Sequence, residues 1–123
     1  MKIIIGITGS IAGYKALELI RFLRREGNEV RVVLTKSALE FVTPLSCQTL
    51  SDNEVYIDQF VLTKGIKHIS LSEWADILIV APATANIIGK AANGIGDDLL
   101  STTIISFLKP ILFIPAMDSG MWN

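Results

Sequence analysis

Cysteine and histidine are almost missing from this sequence: its 123 residues include one of each, Cys47 and His68. One cysteine cannot form an internal disulfide bond, so we expect a protein of the reducing cytoplasm. One cysteine and one histidine are too few for a zinc site, so no metal site is expected. Cys47 has no neighbouring base and no metal-ligand spacing, which favours a buried structural role.

Runs of like charge and long uncharged apolar stretches are also missing. The 11 basic and 12 acidic residues are mixed along the chain, which argues against a nucleic-acid-binding surface. No uncharged apolar stretch reaches the roughly 18 residues that a membrane span needs. We expect no signal peptide, because glycines interrupt the first apolar stretch and an amphipathic helix follows it. The predicted protein is soluble and binds neither nucleic acid nor membrane.

Apolar residues, in contrast, are abundant. They make up 50% of the chain, and the mean hydropathy is +0.50. This composition argues against disorder and indicates strands buried on both faces, an apolar subunit interface, or both. No repeat, low-complexity tract or linker divides the chain, so residues 1–123 are expected to form one domain.

Short apolar runs alternate with helical segments along the chain. We predict strands at 2–8, 29–35, 77–82 and 110–116, with a possible further strand at 55–57. We predict one helix that ends at Gly27, one that starts at Ser37 and that Pro44 interrupts, a short helix within 45–70, and two more at 84–93 and 98–108. Asp97 and Asp98 lie where helix N-caps belong.

This alternation predicts an α/β fold: a doubly wound, mainly parallel sheet with helices on both faces, Rossmann-like or flavodoxin-like. Such sheets bind ligands at the carboxyl ends of their strands. No helix follows the last strand, so we expect a partner subunit or a further part of a longer protein to cover that edge.

The segment between the first strand and the first helix suits a phosphate group. Its glycines, at positions 6, 9 and 13, do not have dinucleotide spacing, and no acidic residue follows the second strand, so NAD is not expected. A helix N-terminus with Gly9 and Ser10 offers backbone N–H groups, and Thr35 and Ser37 add hydroxyls. A plain turn with Ser10 as the helix cap explains these residues equally well.

The other candidates also have two interpretations each. Thr84 and Asn86 suit a helix cap and a turn, or hydrogen bonds to a planar heterocycle such as a flavin. His68 is more often structural when it is alone, although its usual pKa suits acid–base chemistry. The last candidates are core or interface residues, or one wall of a small-molecule pocket: Met117, Met121 and Trp122.

Three long segments together resemble one family. GSIAGYKALELIRFL, HISLSEWADILIVAPATANIIGKAANGIGDDLL and PAMDSGMW are similar to the flavin-dependent cysteine decarboxylases, above all to the phosphopantothenoylcysteine decarboxylases of coenzyme A biosynthesis. The resemblance implies FMN as cofactor and decarboxylation of 4′-phosphopantothenoylcysteine to 4′-phosphopantetheine. It also implies a homo-oligomer, a trimer or a dodecamer, and in many bacteria fusion to a phosphopantothenate–cysteine ligase.

The resemblance also implies roles for individual residues. His68 matches the active-site histidine, and Thr84 and Asn86 match contacts to the flavin. The residues that match the FMN phosphate site are Gly9, Ser10, Ile11, Thr35 and Ser37. Those that match the substrate-binding segment are Met117, Asp118, Met121 and Trp122.

Two departures from the family pattern bear on activity. The family's substrate motif has asparagine where this chain has Asp118, and an ionised carboxylate offers a substrate carboxylate no hydrogen-bond donor. The family's later cysteine-bearing segment has no counterpart in these 123 residues. We therefore expect retained FMN binding with impaired turnover. The alternatives are a non-catalytic FMN-binding regulatory protein and an enzyme similar to the flavin prenyltransferases.

Overall fold

The computed structural model describes residues 1–57 and 70–115. Its strands are β1 (Lys2–Ile7), β2 (Glu29–Leu34), β3 (Val55–Ile57), β4 (Ile77–Ala83) and β5 (Ile111–Pro115). Its helices are α1 (Gly13–Arg25), α2 (Pro44–Ser51), the helical residues 70–74 (α3), α4 (Ala85–Ala92) and α5 (Leu99–Ser106), with a 3-10 helix at Ser37–Glu40. The predicted strands at 2–8, 29–35, 55–57, 77–82 and 110–116 and the predicted helices at 84–93 and 98–108 agree with these bounds to within two residues.

The five strands form one parallel sheet in the order β3-β2-β1-β4-β5. This is the Rossmann strand order, and it confirms the predicted doubly wound fold. The chain runs outward from β1 through β2 to β3 and then returns to the other side of β1 for β4 and β5. The carboxyl ends of β1 and β4 therefore flank the crevice where such sheets bind ligands.

Helices cover both faces of the sheet, and β1 contributes side chains to both cores. Ile5 and Ile7 are fully buried in the core beneath α1 and α2, whereas Ile4 is fully buried in the core beneath α4 and α5. Successive side chains of an extended strand point to opposite faces of the sheet. A strand that is buried on both faces therefore has a continuous run of apolar residues, as β1 has. The uninterrupted isoleucines thus indicate a central position in the sheet.

The ends of α1 and α2 follow from particular residues. Gly27 has a φ of +89°, and the next N–H, that of Asn28, donates to the Leu23 carbonyl, which ends α1 as predicted. The prediction that Pro44 interrupts a helix is wrong. Pro44 begins α2, because proline lacks only an N–H that the first turn would not use, and the Thr43 hydroxyl caps this helix.

Asp97 and Asp98, the acidic pair before α5, make different main contacts. Asp98 is the N-cap and forms a reciprocal capping box with Ser101. Asp97 forms an ion pair with Lys90, with 2.9 Å between its Oδ1 and the Lys90 Nζ, and the Asp98 Oδ2 lies 3.4 Å from the same Nζ. The hydrogen bond from Lys90 lowers the pKa of Asp97, and the same bond raises the pKa of Lys90. The prediction of an N-cap is therefore confirmed for Asp98, while Asp97 ties the end of α4 to the start of α5.

Cys47 lies on α2 and is fully buried in the core that α1 and α2 cover, as expected of a structural cysteine. Desolvation raises the pKa of its thiol to about 11. At pH 8, roughly one thiol in a thousand would be ionised, and the thiolate is the reactive form. Cys47 is therefore an unreactive packing residue in the folded protein.

Burial of the Cys47 thiol predicts a loss of stability at alkaline pH. The folded protein favours the neutral thiol, so this contribution is complete below pH 9 and is lost as the pH rises toward the folded pKa of about 11. The loss should reach about 2 kcal/mol. Urea unfolding of wild type and Cys47→Ala between pH 8 and 11 isolates the effect, because every other titrating group is shared. A constant difference between the two proteins across this range would contradict the prediction.

Within residues 1–57 and 70–115, no helix has the length and apolar character needed to cross a membrane. The same residues include no cluster of three or more histidine, cysteine or acidic side chains that would hold a metal ion.

Candidate functional site

The β1–α1 loop forms the first part of the candidate site. Ser10 turns the chain: its carbonyl accepts the Gly13 N–H at 2.9 Å, and its hydroxyl accepts the Ala12 N–H at 3.1 Å. The helix N-cap is Ala12, which has no side-chain oxygen. The interpretation of Ser10 as the helix cap is therefore wrong, because Ala12 occupies the N-cap position. The Ser10 hydroxyl nevertheless accepts a hydrogen bond from the Ala12 N–H.

Three consecutive backbone N–H groups in this loop remain available. Those of Gly9, Ser10 and Ile11 make no hydrogen bond within the described part of the chain. Among the α-helices whose first residue the structure describes, α2, α4 and α5 have a side-chain cap and α1 has none. Uncapped N–H groups at the positive end of a helix dipole favour an anion, so this loop has the donors that a phosphate group requires.

The β2 exit lies directly against this loop. A Cβ placed on Gly9 would be 2.6 Å from the Ser37 Cβ and 2.9 Å from the Ser37 carbonyl carbon, so only glycine permits this approach. The Thr35 Oγ1 lies 3.2 Å from the Ser37 Oγ and accepts the Ala38 N–H at 3.3 Å. Because the Thr35 hydroxyl is buried and engaged, the exposed Ser37 hydroxyl is the better placed of the two to reach a ligand.

The β4–α4 turn forms the opposite side of the crevice. Thr84 is the N-cap of α4, and its hydroxyl accepts the Ile87 N–H at 3.5 Å, so the simpler interpretation of Thr84 holds. Asn86, in the first turn of α4, is exposed, and its side chain makes no hydrogen bond within the described residues. The amide of Asn86 can both donate to a ligand and accept from it.

Sequence reasoning missed one residue that joins the two sides. Thr8, 3% exposed, donates its hydroxyl proton to the Pro82 carbonyl at 2.5 Å and accepts the Thr84 N–H at 3.3 Å. The Ala81–Pro82 peptide bond is cis. The sequence does show a hydroxyl residue at the end of a buried strand, which could have marked Thr8 as a candidate. Its hydrogen-bond partners, however, are more than 70 residues away in sequence.

The remaining sequence-predicted residues lie outside the described residues, and their roles stay predictions. They are the candidate catalytic residue and the substrate-binding residues: His68, Met117, Asp118, Met121 and Trp122.

The described residues fit the cofactor that the resemblance implies. FMN has one terminal phosphate and a planar ring whose edge both donates and accepts hydrogen bonds. The N–H groups of the β1–α1 loop that have no partner in the described part of the chain match the phosphate, as does the Ser37 hydroxyl. The Asn86 amide across the crevice matches the ring edge. No acidic residue lies in the first turn of α1 to repel the phosphate.

Comparison with known proteins shows which family this sequence matches. Residues 1–123 match the family model described as Flavoprotein. The chain is 46% identical over 124 residues to the coenzyme A biosynthesis bifunctional protein CoaBC of Bacillus subtilis (strain 168), covering 99% of this chain and 30% of that protein. It is 49% identical over 125 residues to CoaBC of Haemophilus influenzae, covering 98% of this chain and 31% of that protein. The chain thus spans about a third of the length of these curated relatives.

Solved structures show the same architecture. The FMN-dependent cysteine decarboxylase TvaF from thioviridamide biosynthesis superposes with a TM-score of 0.89 at 29% identity, covering 100% of this chain and 77% of that one. A PPC decarboxylase mutant complexed with pantothenoylaminoethenethiol superposes with a TM-score of 0.78 at 33% identity, covering 99% of this chain and 70% of that one.

Proposed function

Because the chain belongs to the Flavoprotein family, we propose that it binds FMN and catalyses the decarboxylation of 4′-phosphopantothenoylcysteine to 4′-phosphopantetheine in coenzyme A biosynthesis. The observation that carries the proposal is the trio of N–H groups at Gly9, Ser10 and Ile11, which have no partner among residues 1–57 and 70–115 and lie beside the Ser37 hydroxyl. Relatives named for coenzyme A biosynthesis and for PPC decarboxylation support the choice of substrate.

In this proposal, the described residues bind and orient the cofactor. The N–H groups of the β1–α1 loop and the dipole of α1 hold the phosphate, with the hydroxyls of Thr35 and Ser37 at its side. Thr84 fixes the start of α4, and Asn86 hydrogen-bonds the ring edge. Together these contacts place the ring in the crevice between the carboxyl ends of β1 and β4.

Bound FMN supplies the oxidising chemistry that gives the electrons of a departing carboxylate an acceptor. The proposed part of His68 is to hold or move a proton at the substrate thiol and carboxylate. The segment of Met117, Asp118, Met121 and Trp122 would form the substrate-side wall of the pocket. Asp118, if ionised, would repel the substrate carboxylate by about 4 kcal/mol at a separation of 4 Å and an effective dielectric constant of 20.

Apolar side chains around the phosphate site support the further proposal that the protein is a homo-oligomer, a trimer or a dodecamer. Ile11, Tyr14 and Phe41 are 81%, 57% and 43% exposed, and the Phe41 Cβ would lie 3.6 Å from a Cβ on Gly13 at the start of α1. A cluster of exposed large apolar residues marks an interaction surface. We propose that a second subunit covers this cluster beside the cofactor.

The test of the proposed function separates cofactor binding from catalysis. We expect purified protein to be yellow, to have the mass of a trimer or dodecamer by light scattering, and to take up FMN again after removal. Anaerobic incubation with 4′-phosphopantothenoylcysteine, followed by mass spectrometry, should show product lighter by one carbon dioxide. We expect slow turnover in wild type and faster turnover in Asp118→Asn, because the amide replaces repulsion with a donor.

Three results would contradict parts of this proposal. A protein that stays colourless in excess FMN would refute the cofactor assignment. Flavin binding without turnover in the full-length protein, both as wild type and as Asp118→Asn, would refute the enzyme and favour a non-catalytic FMN-binding regulatory protein. A monodisperse monomer would refute the proposed oligomer.

A further inference from the structure

We propose that Thr8 is a positioning residue, one that sets the distance between the phosphate-binding loop and the start of α4 without touching the cofactor. This inference rests on the proposed FMN site and extends it to a residue with no assigned role. Its basis is the bridge that the Thr8 hydroxyl makes from the end of β1 to the end of β4.

The bridge lies where the sheet itself stops joining these two strands. The β1–β4 ladder ends at the pair Gly6 and Val80. Beyond Val80, β5 is the one described strand with which β4 pairs, and that pairing is irregular between Val80 and Ala83. Backbone hydrogen bonds therefore do not fix the separation of the two strand ends at the crevice. The Thr8 side chain joins them instead.

The Thr8 hydroxyl is well suited to this task. It donates to the Pro82 carbonyl and accepts the Thr84 N–H, so both its donor and an acceptor position are used. Thr8 and Pro82 are buried, so water does not compete for these bonds. Loss of the hydroxyl would leave two polar backbone groups without their partner, and the turn would move to satisfy them.

Such a movement would change the contacts at both ends of the cofactor. Thr8 directly precedes the Gly9–Ile11 loop, and its partner Thr84 is the N-cap of α4, two residues before Asn86. The phosphate and the ring edge are at opposite ends of one ligand, so both sets of contacts form only when the loop and the helix are correctly spaced.

The experiment compares two substitutions at Thr8 with a matched control elsewhere. Thr8→Val keeps the shape and removes the hydroxyl, and Thr8→Ser keeps the hydroxyl. Thr103→Val is the control, because Thr103 is also fully buried and its hydroxyl donates to the Leu99 carbonyl at 2.7 Å inside α5. For each protein we would measure the FMN dissociation constant by flavin fluorescence, the visible circular dichroism of bound flavin, and urea unfolding of the apo form.

We expect Thr8→Val to raise the FMN dissociation constant about 10- to 30-fold and to change the flavin dichroism, while Thr8→Ser stays within about 3-fold of wild type. Thr103→Val should unfold at lower urea concentration than wild type and bind FMN as wild type does. Equal binding by Thr8→Val and wild type would overturn the inference, as would equal weakening by Thr8→Val and Thr8→Ser, or by Thr8→Val and Thr103→Val. Failure of wild type to bind FMN would overturn the proposed function and this inference with it.

Discussion

Gly9→Ala is expected to weaken FMN binding by at least about 100-fold, or about 2.7 kcal/mol. A Cβ at this position would lie 2.6 Å from the Ser37 Cβ and 2.9 Å from its carbonyl carbon. The second atom belongs to the backbone, so a change of rotamer cannot relieve the clash. The β1–α1 loop and the β2 exit must separate, which pulls the loop N–H groups away from the Ser37 hydroxyl.

Gly89→Ala is the matched control for this prediction. Apart from the local backbone of α4, a Cβ on Gly89 meets no atom of the described residues within 4 Å, and alanine is the better helix former in α4. Fluorescence titration of the two apo-proteins with FMN measures the effect. Affinity in Gly9→Ala within about 3-fold of that in Gly89→Ala would show that the close approach of loop and strand exit is not needed for binding.

Leu100→Ala is expected to lower the free energy of unfolding by about 3 to 5 kcal/mol, the largest stability effect of the substitutions considered. Leu100 is fully buried in the core beneath α5, and its methyl groups lie where a side chain on Gly6 of the central strand would be. Truncation to alanine therefore opens a cavity against the middle of the sheet. Urea unfolding of the FMN-free protein, at one fixed protein concentration, measures the change.

Gly6→Ala provides a second, independent test of this prediction. Alone it should destabilise by about 1 to 2 kcal/mol, because the new methyl group overlaps the Leu100 Cδ1 position. In the Leu100→Ala background the methyl group enters the vacated space, so the same substitution should be neutral or stabilising. If the two single effects add to within about 0.5 kcal/mol in the double variant, Gly6 and Leu100 do not share this space.

Much of the fold could be predicted because its signals are local. The continuous apolar run at Ile3–Ile5 indicated a strand buried on both faces, and Gly27 indicated a helix end. Pro44 was misjudged because the same residue stops one helix or begins another, depending on the turn in which it lies. The order of the strands needed the structure, since alternation of strands and helices is compatible with both the Rossmann and the flavodoxin order.

Some features of the candidate site could likewise be predicted from the sequence, and others needed the structure. Ser10 was expected near a helix N-terminus, but only the backbone geometry showed that Ala12 holds the cap position. It also showed that the loop N–H groups bond to no other described residue. Thr84 as a cap was readable from its place before a helix. The close approach of Gly9 to Ser37 could not be predicted from the sequence, because it depends on how closely two neighbouring strand exits lie.

By itself, the sequence determined the class of the sheet and the residues that carry the family resemblance, and it predicted the edge at which a ligand would bind. Each of these depends on periodicity or on motifs of consecutive residues. Only the tertiary structure decided which groups meet across that edge. Thr8 is 74 residues from Pro82, and parallel β1 and β4 bring them together at the point where their ladder has ended. A hydrogen bond between such distant residues follows from strand order and register, which local propensity does not encode.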